Sequence, residues 1–338
     1  MTLAFTSDAV ADATADPAGD AHCRTRGRRH PCVLVGAGPG DPELLTLKAV
    51  KALRRATVVL VDDLVDRRVL RWTRRAARIV EVGKRGGCSS TPQAFIEKLM
   101  VREALRGERV VRLKGGDPLV FGRAGEEIAA LTAAGIAVEV INGITSGLAA
   151  ASDLGISLTH RDCAKGVMFI TGHRRQDGGN AGADAREKGQ GLRGQALRGR
   201  APAGQGIAGP AMAGDCRDDP VDWQQVARVA CSGVTLVIYM GLARLDQVYD
   251  GLLTALPPST PVALVERASQ SSGRQVVGSL QDLLVLAADH RIASPAILIV
   301  GKVLEEVQSK ALAEAASPGR MTGNEQAGIE QWLFAAMG

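Results

Sequence analysis

At 338 residues the chain is long enough to bury two ordinary cores, and 46% apolar with 23% charged residues excludes a wholly disordered polymer. A formal charge of +5 favours anionic partners, but only 3% of residues are aromatic, so the rings that stack single-stranded nucleic acid are scarce and a small polyanionic substrate fits equally well. The six cysteines, Cys23, Cys32, Cys88, Cys163, Cys216 and Cys231, form no CxxC pair, which argues against a zinc ribbon or a disulfide framework and for reduced thiols in a cytosol.

Residues 1–30 carry aspartates first and arginines last, without the apolar block of a signal peptide, and read as a disordered tail. No uncharged apolar run reaches a membrane span, the longest candidate being Cys231 to Ala243, so a cytoplasmic protein is expected. Short β-branched runs then alternate with helical patterns: "CVLV" (32–35), "TVVLV" (57–61), "RIVEV" (78–82), "RVVRL" (109–113) and "VEVI" (138–141). Asp41 followed by Pro42, and Thr91 followed by Pro92, read as N-cap and first helical residue. Such alternation predicts a mostly parallel sheet with helices on its faces.

A second series follows: "VMFITG" (167–172), "VTLVIYMG" (234–241), "PVALVERA" (261–268), "RQVVGSL" (274–280) and "PAILIVG" (295–301). Two tandem α/β domains are therefore expected, 31–163 and 164–305, joined near Thr159 to Gly166 and followed by a tail over 306–338. Residues 174–222 hold 11 glycines and no aromatic before Trp223, too little to bury against the entropy of ordering, so they read as a disordered insertion. Its arginines are interspersed with acidic residues, which disfavours a nucleic-acid arm.

In open α/β sheets ligands sit beyond the carboxyl ends of the strands. The informative loops follow strands here too: "GAGPGDPE" (36–43), "DDLV" (62–65), "GKRGG" (83–87), "KGGDP" (114–118) and "NGITSG" (142–147). The first loop is not a dinucleotide fingerprint. Its glycines, Gly36, Gly38 and Gly40, fall at positions one, three and five, and position six is Asp41, whose charge opposes a pyrophosphate. Glycines beside an aspartate permit close backbone approach and unusual φ, and on its own "GGDP" reads as an ordinary turn.

Together, "VGAGPGDPELLTLKA", "VDDLV", "GKRGG", "LKGGDPLVFGRAGEE", "INGITSGLAAA" and "GISLTHR" closely resemble the tetrapyrrole methyltransferases, over about 32–173 and again over 223–303. The resemblance implies the two-domain fold of that family, with the active site in the cleft between the domains and S-adenosylmethionine as methyl donor. The reaction it implies is methylation of uroporphyrinogen III at C2 and C7, giving precorrin-2 for cobalamin or sirohaem synthesis. Methyltransferases of this architecture that act on a later corrin intermediate or on RNA are the alternatives. No region resembling the dehydrogenase and chelatase part of bifunctional relatives accompanies it, so a stand-alone enzyme is expected. No metal, nicotinamide, nucleic acid or membrane partner is expected, and a homodimer is.

Residue by residue, the resemblance places the cofactor against Pro39, against Gly115, Gly116, Asp117 and Val120, and against Thr145 and Ser146. In the second half it selects Met240, Ala268 and Ala296. The acid/base pair it implies falls on Asp62 and Lys84; the family has one aspartate, a variable residue, then leucine and valine, which selects Asp62 over Asp63. Leu64, Arg85 and Arg161 are implied to meet the substrate. Arg112, Lys114, Arg123 and His160 are further candidate cations for its eight carboxylates, because guanidinium forks suit carboxylates.

Overall fold

The computed structural model describes residues 30–83, 91–172 and 221–315. Among these, ten strands form two five-stranded sheets. The first contains β1 (Cys32–Gly36), β2 (Val58–Val61), β3 (Arg78–Glu81), β4 (Val110–Lys114) and β5 (Val138–Ile141), in the order β3-β2-β4-β1-β5 and parallel throughout. Its central strands are apolar at nearly every position because both faces are covered. Cys32, Leu34 and Leu60 pack against Met100 of α2 (Gln93–Leu105) and Leu131 of α3 (Ala124–Ala133). Val35, Val59 and Val61 face the other way, toward Leu53 of α1 (Leu47–Arg55).

Two expected helix starts shift. Asp41 and Pro42 open a short 3-10 turn, Pro42–Leu44, in which the Asp41 carboxylate accepts from the Glu43 amide at 2.8 Å. The helix proper begins at Leu47, capped by Thr46 Oγ1, which accepts from the Ala49 amide at 3.1 Å. Pro92 is itself the cap of α2 and makes no side-chain cap bond, so that helix begins one residue late.

The second sheet corrects the parallel expectation. β6 (Gly166–Thr171), β7 (Val234–Tyr239), β8 (Pro261–Glu266), β9 (Arg274–Ser279) and β10 (Ala296–Val300) run in the order β6-β7-β10-β8-β9, and β6–β7 is its one parallel pair. The cause is connection length. Between β8 and β9 lie only residues 267–273, too few for a parallel crossover, so the strands return antiparallel with Glu266 opposite Arg274. One face is covered by α5 (Trp223–Cys231), α6 (Leu245–Leu253) and α7 (Leu283–Asp289).

The other face is covered by α4 (Ser146–Asp153), which leaves the first sheet after β5 and packs Ala149, Ala150 and Ala151 against Val237, Ala263 and Ile299. A Cβ on Gly147 would lie 2.5 Å from the Tyr239 hydroxyl, so only glycine lets the start of α4 sit directly on β7.

The tails and the insertion also change. Residues 306–315 are not tail: α8 (Glu305–Ala315) lies along β9, and Gln308 Nε2 donates to the Gly278 carbonyl at 3.0 Å. Val221 and Asp222 belong to the start of α5, with Asp222 accepting from the Gln225 amide at 3.0 Å. The rest of the expected insertion and residues 1–29 lie outside the described residues, as do Cys23, Cys88 and Cys216.

Cys32, Cys163 and Cys231 are free thiols. Burial, then the nearby Glu127 charge, pushes the Cys32 thiol up to about 12, while Cys231 is exposed. At pH 8 iodoacetamide is therefore expected to alkylate Cys231 in the native protein and to spare Cys32 until the chain is unfolded. Peptide mass spectrometry reads this directly; equal rates at the two sites would mean that the first sheet opens readily.

Candidate active site

The loops that leave the carboxyl ends of β1, β4 and β5 touch one another through glycines. A Cβ on Gly36 would lie 2.5 Å from the Gly143 amide nitrogen and 2.7 Å from the Gly116 carbonyl oxygen, and one on Gly143 only 2.3 Å from that oxygen. Gly116, at φ +64°, donates to the Gly38 carbonyl at 2.8 Å and accepts from the Gly38 amide at 3.2 Å. Asp117 then pins the fourth loop to the fifth: Oδ1 accepts from the Leu119 amide at 2.8 Å, and Oδ2 accepts from Asn142 Nδ2 and the Gly143 amide, each at 3.1 Å. Its charge is thereby fixed beside the space that these loops enclose.

That space is a cavity of about 610 Å3 lined from both sheets. From the first come Pro39, the pair Asp62 and Leu64, and the run Gly115, Gly116 and Asp117 with Val120. Thr145 and Ser146, at the start of α4, complete that side. Met240, Ala268 and Ala296 close it from the second sheet. All ten residues expected to meet a cofactor thus share one cavity, together with Asp62, Asp63 and Leu64. Lys84 and Arg85 lie outside the described residues. Arg161 and His160 are exposed on the turn closed by the His160–Ala164 bridge and do not line the cavity. Arg123 is exposed and paired with Glu126 at 2.6 Å.

Arg112 and Lys114 are not free cations awaiting a substrate. They alternate on β4, so both side chains leave the same face, and both are buried. Glu127 of α3, fully buried, takes them together: Arg112 Nε lies 3.0 Å from Oε1, and Lys114 Nζ lies 3.0 Å from both carboxylate oxygens. Burial, then the Arg112 charge, holds the Lys114 ammonium below the ordinary lysine range. Arg112 Nη2 also stands 3.6 Å from Asp62 Oδ1. Asp62 continues the β2–β4 ladder, its amide donating to the Leu113 carbonyl at 3.0 Å.

Two residues that sequence reasoning missed shape this site. Glu127 was legible in retrospect, because two cations on one face of a buried strand demand a buried counter-charge. Tyr239 ends β7; its hydroxyl lies 2.8 Å from Thr145 Oγ1 and accepts from the Gly147 amide at 2.9 Å, tying the second sheet to α4. Its signal was a tyrosine closing an apolar strand, whose hydroxyl must find a partner when buried. Burial, the larger influence, raises the Tyr239 hydroxyl above its ordinary range. Phe121, Met240 and Arg267 line the cavity in left-handed backbone, at φ +51°, +54° and +49°, and strain of this kind gathers at ligand sites.

The solved structures that this fold matches include methyltransferases. Residues 31–191 match the Tetrapyrrole (Corrin/Porphyrin) Methylases, and the chain belongs to that family. Uroporphyrinogen-III C-methyltransferase of Pseudomonas aeruginosa is 44% identical over 284 residues, covering 84% of this chain and 98% of that protein. The siroheme synthase of Gluconobacter oxydans is 42% identical over 273 residues, 80% of this chain but 49% of its own length, so this chain spans about half of that relative. Among solved structures, uroporphyrin-III C-methyltransferase of Thermus thermophilus complexed with S-adenyl homocysteine superposes with a TM-score of 0.59 at 36% identity, covering 82% of this chain and 100% of that one.

Proposed function

We propose that the chain uses S-adenosylmethionine to methylate uroporphyrinogen III at C2 and C7, giving precorrin-2 for cobalamin or sirohaem synthesis. The observation that carries this reading is that the ten residues expected to meet the cofactor line one cavity, drawn from both sheets. At about 610 Å3 it falls within the roughly 300–1,000 Å3 usual for small-molecule sites. Gly115 and Gly116 leave room along the backbone, and the Asp117 carboxylate, already fixed by three donors, suits a cationic ligand. S-Adenosylmethionine, when bound, supplies the methyl group.

The chain's own residues supply orientation and proton transfer. The ring carbon that gains the methyl group becomes quaternary and leaves the macrocycle cationic. Loss of a proton from a neighbouring carbon restores neutrality, and Asp62 accepts that proton. Lys84 is the acid of the pair. Leu64, exposed at the cavity, meets the apolar face of the macrocycle, while Arg85, and Arg161 from its exposed turn outside the cavity, take its carboxylates.

The two sheets correspond to domains divided near residues 163 and 164, with the site between them. The enzyme works as a homodimer in the cytoplasm; among the described residues no helix is long and apolar enough to cross a membrane. Incubation with labelled S-adenosylmethionine and uroporphyrinogen III, a later corrin intermediate or ribosomal RNA tests the whole reading. Two labelled methyl groups per uroporphyrinogen are expected and none on RNA. Label on RNA or on the later corrin alone overturns it.

A further inference from the structure

We propose that Glu127 is a positioning residue for methyl transfer: by holding Arg112 and Lys114 together, it sets how much positive charge faces Asp62. This rests on the reading of Asp62 as the base. Two carboxylates and two cations meet beside the cavity, which Asp62 and Lys114 line, and three of the four are nearly sealed from water: side-chain exposure is 0% for Glu127, 3% for Arg112 and 5% for Lys114, against 32% for Asp62. Arg112 is shared unequally. Its Nε stands 3.0 Å from Glu127, whereas its Nη2 reaches Asp62 only at 3.6 Å, and Nη1 is spent on the Leu113 carbonyl at 3.3 Å. Glu127 therefore holds the guanidinium away from full contact with Asp62.

Buried ion groups contribute little net stability, because desolvation offsets the attraction. This group sits where a cavity-lining carboxylate needs its surroundings balanced, and that favours a role in the reaction over one in holding the fold. Among the described residues Asp117 and Arg267 also line this cavity, and other charges approach from neighbouring elements. Asp63, the exposed neighbour of Asp62, lies in the field of Arg67, which is itself bonded to Glu81. From β4 come Arg112 and Lys114, and from α3 comes Glu127. Lys84 and Arg85, after β3, lie outside the described residues.

The test is the pH profile of single-turnover methylation of uroporphyrinogen III. Glu127→Gln leaves two uncompensated cations facing Asp62, so the acid limb is expected to move to lower pH by about one to three units, the effect of an opposite charge at close range. Lys114→Met removes a cation, so its limb moves to higher pH. If Glu127→Gln does not fold, the Lys114→Met and Glu127→Gln/Lys114→Met variants decide, the double variant falling on the acid side of Lys114→Met. S-Adenosylhomocysteine affinity, measured by calorimetry, stays within a few-fold throughout. Acid limbs that coincide with the wild type in variants that still bind S-adenosylhomocysteine overturn the proposal. Survival of the wild-type limb in Asp62→Asn instead overturns the base assignment on which it rests.

Discussion

Asp62→Asn is expected to bind S-adenosylhomocysteine as the wild type does and to lose roughly 10²–10⁴-fold in turnover, the range typical of a missing general base. Asparagine keeps the size of the side chain and can still lie beside Arg112, whose Nη2 stands 3.6 Å from Asp62 Oδ1, but it cannot take a proton. The backbone role survives as well, since the Asp62 amide still donates to the Leu113 carbonyl at 3.0 Å. Asp63→Asn should do far less. Asp63 also lines the cavity, but its side chain is exposed, and its backbone is packed so tightly against Gly83 that a Cβ there would lie 2.5 Å from the Asp63 amide nitrogen. Its place is thus set by the turn and not by the ion group. Single-turnover assays with uroporphyrinogen III on both variants distinguish the two aspartates. An inactive Asp63→Asn beside an active Asp62→Asn shifts the assignment by one residue, and normal turnover in both removes the loop from the chemistry.

The strands were legible because each is a short β-branched run, and a run such as "VVLV" at Val58–Val61 has little alternative in a chain of this composition. Strand direction was less so. Alternation of runs and helical patterns says nothing of β8 and β9, whose relation depends on the length of the link over 267–273 and on its lack of a helix. The loops at the strand ends were legible as glycine-rich, yet the reason for Gly36 and Gly143 is their contact with Gly116, which no spacing reveals. In sequence Arg112 and Lys114 are candidate substrate cations because a charge there carries no burial; their partner Glu127 stands beyond the loop that follows β4, on α3. Tyr239 was hidden for the same reason, since Thr145, which it bonds, lies 94 residues earlier.

Gly115→Val is expected to weaken S-adenosylhomocysteine binding while the fold survives. Gly115 does not occupy left-handed backbone, unlike Gly116 at φ +64°, so valine there is not opposed by φ. Space opposes it instead. A Cβ on Gly115 would stand 2.9 Å from the Leu64 Cβ, closer than packed carbons tolerate, and valine adds two methyl groups beyond it. Leu64 is 61% exposed, so the shift that valine demands falls on that residue, between Asp63, held against Gly83, and the buried Val65. That shift moves Leu64, which lines the cavity with Gly115, out of register with the fourth loop. Overpacking of this kind costs about 1–3 kcal/mol, and if it falls on the bound state the dissociation constant rises roughly ten- to a hundredfold. Gly115→Ala, with one carbon to accommodate beside an exposed Leu64, should lie between valine and the wild type. Calorimetry with S-adenosylhomocysteine, beside thermal unfolding of each variant, checks both parts. An unchanged affinity in the valine variant removes this loop from the cofactor site, and a collapsed unfolding midpoint shows that Leu64 cannot yield and that the glycine serves the fold.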